Sequence, residues 1–377
     1  MMAGFACSSA ACSSSDSDEA ALDTSDAAVA ANDMTTGGNS STSDASLGDP
    51  IETMDGAWEY ISFDDTKCRD GSPAGVSINR NNSSKKLMIY LEGGGACFET
   101  LSCLTNAASV GAATTPTEAG IFARANADNP VKDWNYVYVP YCTGDVHSGT
   151  KEDVTVPGVA GTQNFMGRRN LESFMKRIVP SFPDVEQVLF TGSSAGGFGA
   201  ATNGEYVQKV FGDVPVFVID DSGPSMSNEY MRGCLLEVWN EIWGFDDGFL
   251  ADCGGDCTDP TNYGIEYSLH TIKGLRNDVM GGLYETTADG TISLFYGLGT
   301  DACPAASIPA DQFKAGLLDF RATIEPLTSS YGTYFLEGTG HTILRSDAFY
   351  TAEVGGVKFV DWFSDIITGT KAAHVGP

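Results

Sequence analysis

The residues best suited to chemistry stand in Gly192-Ser193-Ser194-Ala195-Gly196. A serine hydroxyl attacks an ester only when a neighbouring base takes its proton. The G-x-S-x-G spacing serves that need by lifting the serine onto a sharp turn between a strand and a helix. In a chain with 44 glycines the pattern arises easily by chance, so its setting decides. Residues 187 to 191 form a β-rich run ending at the motif, and Gly196 opens a helix-like stretch reaching about Phe211. Ser194 is the expected nucleophile.

A tetrahedral intermediate also needs N–H donors aimed at its oxyanion. One is expected from Ala195, the residue after the nucleophile, and the other from a glycine-rich loop after an early strand. Leu91-Glu92-Gly93-Gly94-Gly95-Ala96-Cys97 is such a loop, and Gly94 and Gly95 are its candidate donors.

The general base must be one of four histidines. In α/β-hydrolases the chain order is serine, acid, histidine. His147 precedes Ser194, His374 lies in the last few residues, and His270 sits in a helix-like stretch. His341 follows the strand-like residues 333 to 336 through Glu337-Gly338-Thr339-Gly340 and is the expected base. The acid should leave a strand end between Ser194 and His341. Asp301 follows the strand-like run 292 to 296 through Gly297-Leu298-Gly299-Thr300 and is the first choice. Asp220 and Asp221, at the end of the run 216 to 219, remain alternatives.

The elements that must hold these residues follow an alternating pattern. Residues 86 to 91, 135 to 139, 187 to 191, 216 to 219, 292 to 296 and 333 to 336 read as strands, and residues 164 to 178 have helical spacing up to Pro180. This predicts an α/β fold, a mostly parallel sheet flanked by helices, of α/β-hydrolase type. Residues 224 to 290 are less regular and are expected to form a cap or insertion over the site.

Composition narrows the setting. Fifty acids against 21 bases give a formal net charge of −29, which disfavours nucleic acid and anionic membranes as partners. No apolar run is long enough to span a bilayer. Ten cysteines point to an oxidising, extracytoplasmic compartment. Residues 1 to 50 are rich in Ser, Asp and Ala, contain no Lys or Arg, and read as a disordered tether ahead of a catalytic domain at 51 to 377. Ser9-Ala10-Ala11-Cys12 has the small-small-Cys pattern of a lipoprotein cleavage site, so a lipid anchor at Cys12 is one expectation, although the basic and apolar regions of a full signal are missing.

Several blocks in order resemble the pectin acetylesterase family, which also contains the Notum-type carboxylesterases. They are residues 68 to 75 (CRDGSPAG), 91 to 97 (LEGGGAC), 140 to 149 (PYCTGDVHSG), 192 to 197 (GSSAGG) and 338 to 342 (GTGHT), spanning roughly Trp58 to Trp362. The resemblance implies an α/β-hydrolase fold and a Ser-Asp-His triad with no metal or other cofactor. It carries the nucleophile onto Ser194, the base onto His341 and, less directly, the acid onto Asp301. It also implies disulfides Cys68 with Cys142 and Cys97 with Cys103. Cys253 and Cys257 fit a disulfide better than zinc, lacking a second ligand pair at zinc spacing. Where relatives often carry an aromatic residue after the Gly-Gly of the loop, this chain has Gly95 and Ala96, which is expected to open the pocket wall. His147 likewise stands where relatives often have an aromatic.

The expected activity is hydrolysis of an ester-linked acyl group, acetyl on a polysaccharide such as pectin. The alternatives are a longer-chain acyl esterase of Notum type and an inactive surface glycan-binding protein.

Overall fold

A computed structural model describes residues 47–111 and 114–377. The tether and Cys12 lie outside the described residues, apart from the exposed residues 47–50.

The sheet has nine strands, β1 (Trp58–Phe63), β2 (Ala74–Asn79), β3 (Lys86–Leu91), β4 (Asn135–Val139), β5 (Gln187–Ser193), β6 (Val216–Asp221), β7 (Gly281–Thr286), β8 (Tyr331–Leu336) and β9 (His374–Val375). Their order is β1-β2-β4-β3-β5-β6-β7-β8-β9. β2 is antiparallel to β1 and β4, and every later pairing is parallel. Leu87 to Leu91 and all of β4 are buried, as continuous apolar strands covered on both faces must be.

Helices α1 (Gly167–Ser181) and α2 (Ala195–Phe211) flank β5 in the chain, and α3 (Gly233–Trp243) and α4 (Tyr263–Lys273) follow β6. Further along come α5 (Gly290–Gly297), α6 (Ala310–Ile324) and α7 (Phe359–Ile367). The last is amphipathic, burying Phe359, Trp362, Phe363 and Ile366 against β7 and β8. Pro180 sits inside the last turn of α1 rather than stopping it short.

Two expectations change. The run 292 to 296 is helical, as part of α5, because Asp289 caps its start by accepting from the Thr291 and Ile292 amides. A satisfied N-cap outweighs the β propensity of Ile292, Phe295 and Tyr296. The missing strand is β7, and it lies within the stretch assigned to the irregular insertion. Its first residues are two glycines, which weaken any strand signal, yet glycine is what the position demands. A Cβ on Gly282 would meet Trp362 and Ile366 of α7 at 2.7 to 2.8 Å. The insertion therefore ends before β7. Its helices α3 and α4 carry an aromatic cluster in which Trp239 and Trp243 stack at 5.3 Å.

The disulfides are Cys68–Cys142, Cys97–Cys103, Cys234–Cys303 and Cys253–Cys257. The first two match the pairs implied by the family resemblance, and the last agrees with the disulfide expected of its two cysteines in place of zinc.

Candidate active site

Ser194 stands between β5 and α2 with φ 59° and ψ −122°, a conformation a serine rarely adopts. The turn is this tight because α2 folds back over β3. A Cβ on Gly196 would run into the backbone of Leu91. The helix has weak intrinsic propensity, with four glycines in its first ten residues, so its stability comes from packing on β5, β6 and β3.

Among the described residues, five of the six non-glycine residues at positive φ border this region: Val146, His147, Ser194, Ser222 and Thr342, with Asp153 the exception. Strain gathered in this way marks a functional site. The end of β6 ties the strained segments together. The Ser194 amide donates to the Asp221 carbonyl at 2.7 Å, and the Asp221 carboxylate accepts from the Ile343 and Leu344 amides at 3.0 Å each. Ser193 Oγ also donates to Asp221 and accepts from the Tyr90 hydroxyl. Ser222 Oγ accepts from the Thr342 amide. Asp221 thus clamps the serine turn and the histidine loop to one strand end. It is committed to that task and makes no hydrogen bond to His341.

The partner of His341 is Asp289. Its Oδ2 accepts from His341 Nδ1 at 2.6 Å, while Oδ1 accepts the two α5 amides at 2.7 and 2.9 Å. Asp289 is fully buried and His341 keeps 21% of its side-chain surface. Asp301, the residue expected from sequence, is exposed on the loop after α5 and lines a separate cleft. The carboxylate that meets His341 does follow a strand end. The strand was β7, and Asp289 stands three residues beyond it. The signal available was Asp289-Gly290-Thr291-Ile292, a helix N-cap sequence.

The other histidines have structural places. His270 lies beside Asp256 and Glu205, and His374 contacts Thr333 Oγ1 from the edge strand β9. His147 is buried against Tyr141, ring centres 4.5 Å apart, and its Nε2 donates to the Glu92 carbonyl at 2.8 Å. Burial holds its pKa down to about 4, so the ring is neutral and donates from Nε2.

On the opposite side of Ser194 lies the glycine loop. Gly94 and Gly95 have φ of 154° and 80°, the second in a region open to glycine. Among the described residues, the amides of Gly94, Gly95 and Ala195 donate to no protein acceptor, so they remain available to a ligand. The loop is held from behind. Asn106 Nδ2 donates to the Gly94 carbonyl at 3.0 Å. Arg69, 5% exposed, in turn donates to Asn106 Oδ1, to the carbonyls of Asn106 and Cys103, and to Gln163 Oε1. The Cys97–Cys103 bridge closes the same loop. The expected open wall at Gly95 is not open, because the position a Cβ would take lies 3.0 Å from the Phe295 ring of α5.

Two cavities are relevant, one beside the serine turn and one at the separate cleft of Asp301. One of about 40 Å³ is apolar, walled by Val146, Phe198, Met226, Trp239, Phe249 and Tyr296 among others, one turn beyond Ser194. The other, about 580 Å³, is bounded by Phe98, Glu99, Val238, Glu241, Thr300 and Asp301 among others, with no lysine or arginine in its wall.

The strand order, the parallel connections and the strained serine turn define an α/β-hydrolase. Within that class, the pectinacetylesterase family profile matches residues 59–244. A solved structure of the Wnt deacylase Notum from Drosophila shares the architecture, with TM-score 0.65 over 83% of this chain and 94% of that one at 19% identity. The palmitoleoyl-protein carboxylesterase notum1' of Xenopus laevis is 30% identical over 188 residues, 45% of this chain and 37% of that protein. Its counterpart NOTUM of Drosophila melanogaster is 30% identical over 211 residues, 51% of this chain and 31% of that protein. The matched region spans about a third of these relatives' length. The chain is thus similar to the pectin acetylesterase family over residues 59–244 and to the Notum-type carboxylesterases over a comparable stretch.

Proposed function

We propose that this protein is an exported serine carboxylesterase in which Ser194 attacks the acyl carbon, His341 takes and returns the proton, and Asp289 orients His341. The observation that carries the reading is the 2.6 Å bond from His341 Nδ1 to a fully buried carboxylate, on the far side of β6 from a loop of unspent amides. A bond at Nδ1 leaves Nε2 free to face the serine, and the buried carboxylate stabilises the imidazolium that forms. The Gly94, Gly95 and Ala195 amides receive the oxyanion. Collapse of the intermediate releases the alcohol with the proton from His341, and water then hydrolyses the acyl-enzyme by the same relay.

The acyl group is short, acetyl being the smallest common case. Phe295 against Gly95 and the small volume beside Phe198 support this. The formal net charge of −29 favours a neutral acylated polysaccharide over bare polygalacturonate, which it would repel. Four disulfides support an extracytoplasmic location.

A second reading, hydrolysis of a longer acyl chain as the names of the curated relatives describe, draws on the apolar lining of the smaller cavity. A chain-length series of p-nitrophenyl esters separates the two, with the best kcat/KM expected at two to four carbons by the first reading. Ser194→Ala should abolish turnover and labelling by a fluorophosphonate. Equal rates for wild type and variant would reject the esterase assignment altogether.

A further inference from the structure

Beneath Asp289 the protein buries more carboxyl groups than the proposed mechanism uses. Asp220 and Asp221 end β6, and Glu285 lies near the end of the adjacent parallel strand β7. All three are at most 3% exposed, as is Asp289. Their hydrogen bonds are unequal. Asp221 accepts from Ser193 Oγ, Ser222 Oγ and two amides, and Asp289 from two amides and His341. Glu285 accepts only the Thr286 amide, on Oε1 at 2.8 Å. Its Oε2 is buried with no donor facing it, and so is Asp220 Oδ1.

A buried carboxylate oxygen facing no donor is costly. The side chain that Glu285 reaches is that of Asp289, another acceptor. Two carboxylates cannot face each other in a dry interior unless one carries a proton. Asp289 has three donors and Glu285 has one, so the proton belongs on Glu285. The surrounding groups agree. From β6 comes Asp220, from α5 Tyr296, from β7 Tyr284, and beyond Asp289 stands His341. Among the described residues, no lysine or arginine forms an ion pair with Asp220, Asp221 or Glu285.

We infer that Glu285 is a positioning residue, a neutral carboxylic acid whose hydroxyl donates to Asp289 and fixes that carboxylate in line with His341. The role rests on Asp289 being the acid that orients the base. It extends the chain of hydrogen bonds one link deeper: Glu285 O–H to Asp289, and His341 Nδ1–H to Asp289 from above. Burial, followed by the charge of Asp289, holds the Glu285 carboxyl well above the usual glutamate range, as this arrangement requires.

The test compares Glu285→Gln with Glu285→Leu in the full chain. Glutamine keeps a donor for Asp289 and an acceptor for Thr286, whereas leucine keeps neither. Glu285→Gln should hold kcat on p-nitrophenyl acetate within about threefold of wild type. Glu285→Leu should lower kcat by about ten- to a hundredfold, the worth of one charge-assisted hydrogen bond, with KM unchanged. Wild-type kcat in Glu285→Leu, or equal damage in both variants, would overturn the role. An infrared difference spectrum between wild type and Glu285→Gln at pH 7 needs neither substrate nor the leucine variant. It should show a protonated-carboxyl C=O band from wild type that shifts in D2O, and its absence would overturn the inference. If wild type fails to turn over esters and Ser194 resists fluorophosphonate, the esterase proposal falls while the infrared band still decides the proton on Glu285.

Discussion

The two sides of Ser194 are supported by opposite chemistry. Behind the glycine loop stand Arg69, Asn106, Gln163 and a neutral His147, with each Arg69 nitrogen donating to a protein acceptor. Behind His341 stand Asp289, Asp221, Asp220 and Glu285, two of them with an unpartnered oxygen. During ester hydrolysis negative charge would develop toward the loop and positive charge on the imidazole. The buried cation lies on the first side and the buried carboxyls on the second, the signs a preorganised site needs. The sides differ in economy as well. The cationic side satisfies its groups with protein partners, while the acidic side stores protons.

The largest disturbance of this contrast should come from Arg69→Met. It leaves four buried acceptors without their donor, a cost of about 4 kcal/mol or more in a urea titration. The surviving folded fraction should show lower kcat, because Asn106 no longer steadies the Gly94 carbonyl.

The disulfides separate stability from function on the same side. Opening Cys68–Cys142, which spans 74 residues, should cost about 4 kcal/mol by loop entropy, and opening Cys97–Cys103, which spans six, about 2 kcal/mol. Activity should follow the reverse order, since only the shorter bridge closes the oxyanion loop. Paired Cys→Ser variants, compared by thermal melts and kcat, check both.

In pH dependence the two sides should move in opposite directions. His147 is held neutral, with its folded pKa lowered to about 4 from 6.5. Between those values the unfolded chain binds the extra proton, so stability on this side is lost as pH falls, by on the order of 3 kcal/mol in total. Glu285 and Asp220 have folded pKa values raised well above 4.5 and 3.8 by burial. There the folded state binds the extra proton, so stability is full below the unfolded values and declines as pH rises through neutral. Glu285→Gln and Asp220→Asn should therefore melt higher than wild type at pH 8, with the difference vanishing near pH 4. His147→Gln should flatten the acid side of the wild-type profile. Parallel curves for all variants would remove the charge contrast.

Much of this was legible in the sequence because local pattern and tertiary demand agreed. β3, β4 and β6 are apolar runs without glycine, β5 and β8 carry one glycine each near an end, and the elbow is marked by its spacing between such a strand and a helix. Asp289 was hidden by two local signals that misled together. Gly281-Gly282 masked β7, where α7 packs too closely for side chains, and the apolar run after Asp289 resembled a strand although an N-cap made it a helix. The wall at Gly95 was misread for a different reason. Phe295 lies 200 residues away in sequence, and nothing local reveals that it fills the gap. The roles of Asp221 as a clamp and of Glu285 beneath Asp289 depend on which strands are neighbours, information that pairing supplies and composition does not.

The most direct test of the account is the kcat of Asp289→Asn against that of Asp301→Asn on p-nitrophenyl acetate. Loss of the carboxylate that orients His341 should lower kcat by about 10⁴-fold in Asp289→Asn, while exposed Asp301→Asn stays within about twofold of wild type. Near-wild-type turnover in Asp289→Asn together with an inactive Asp301→Asn would contradict it.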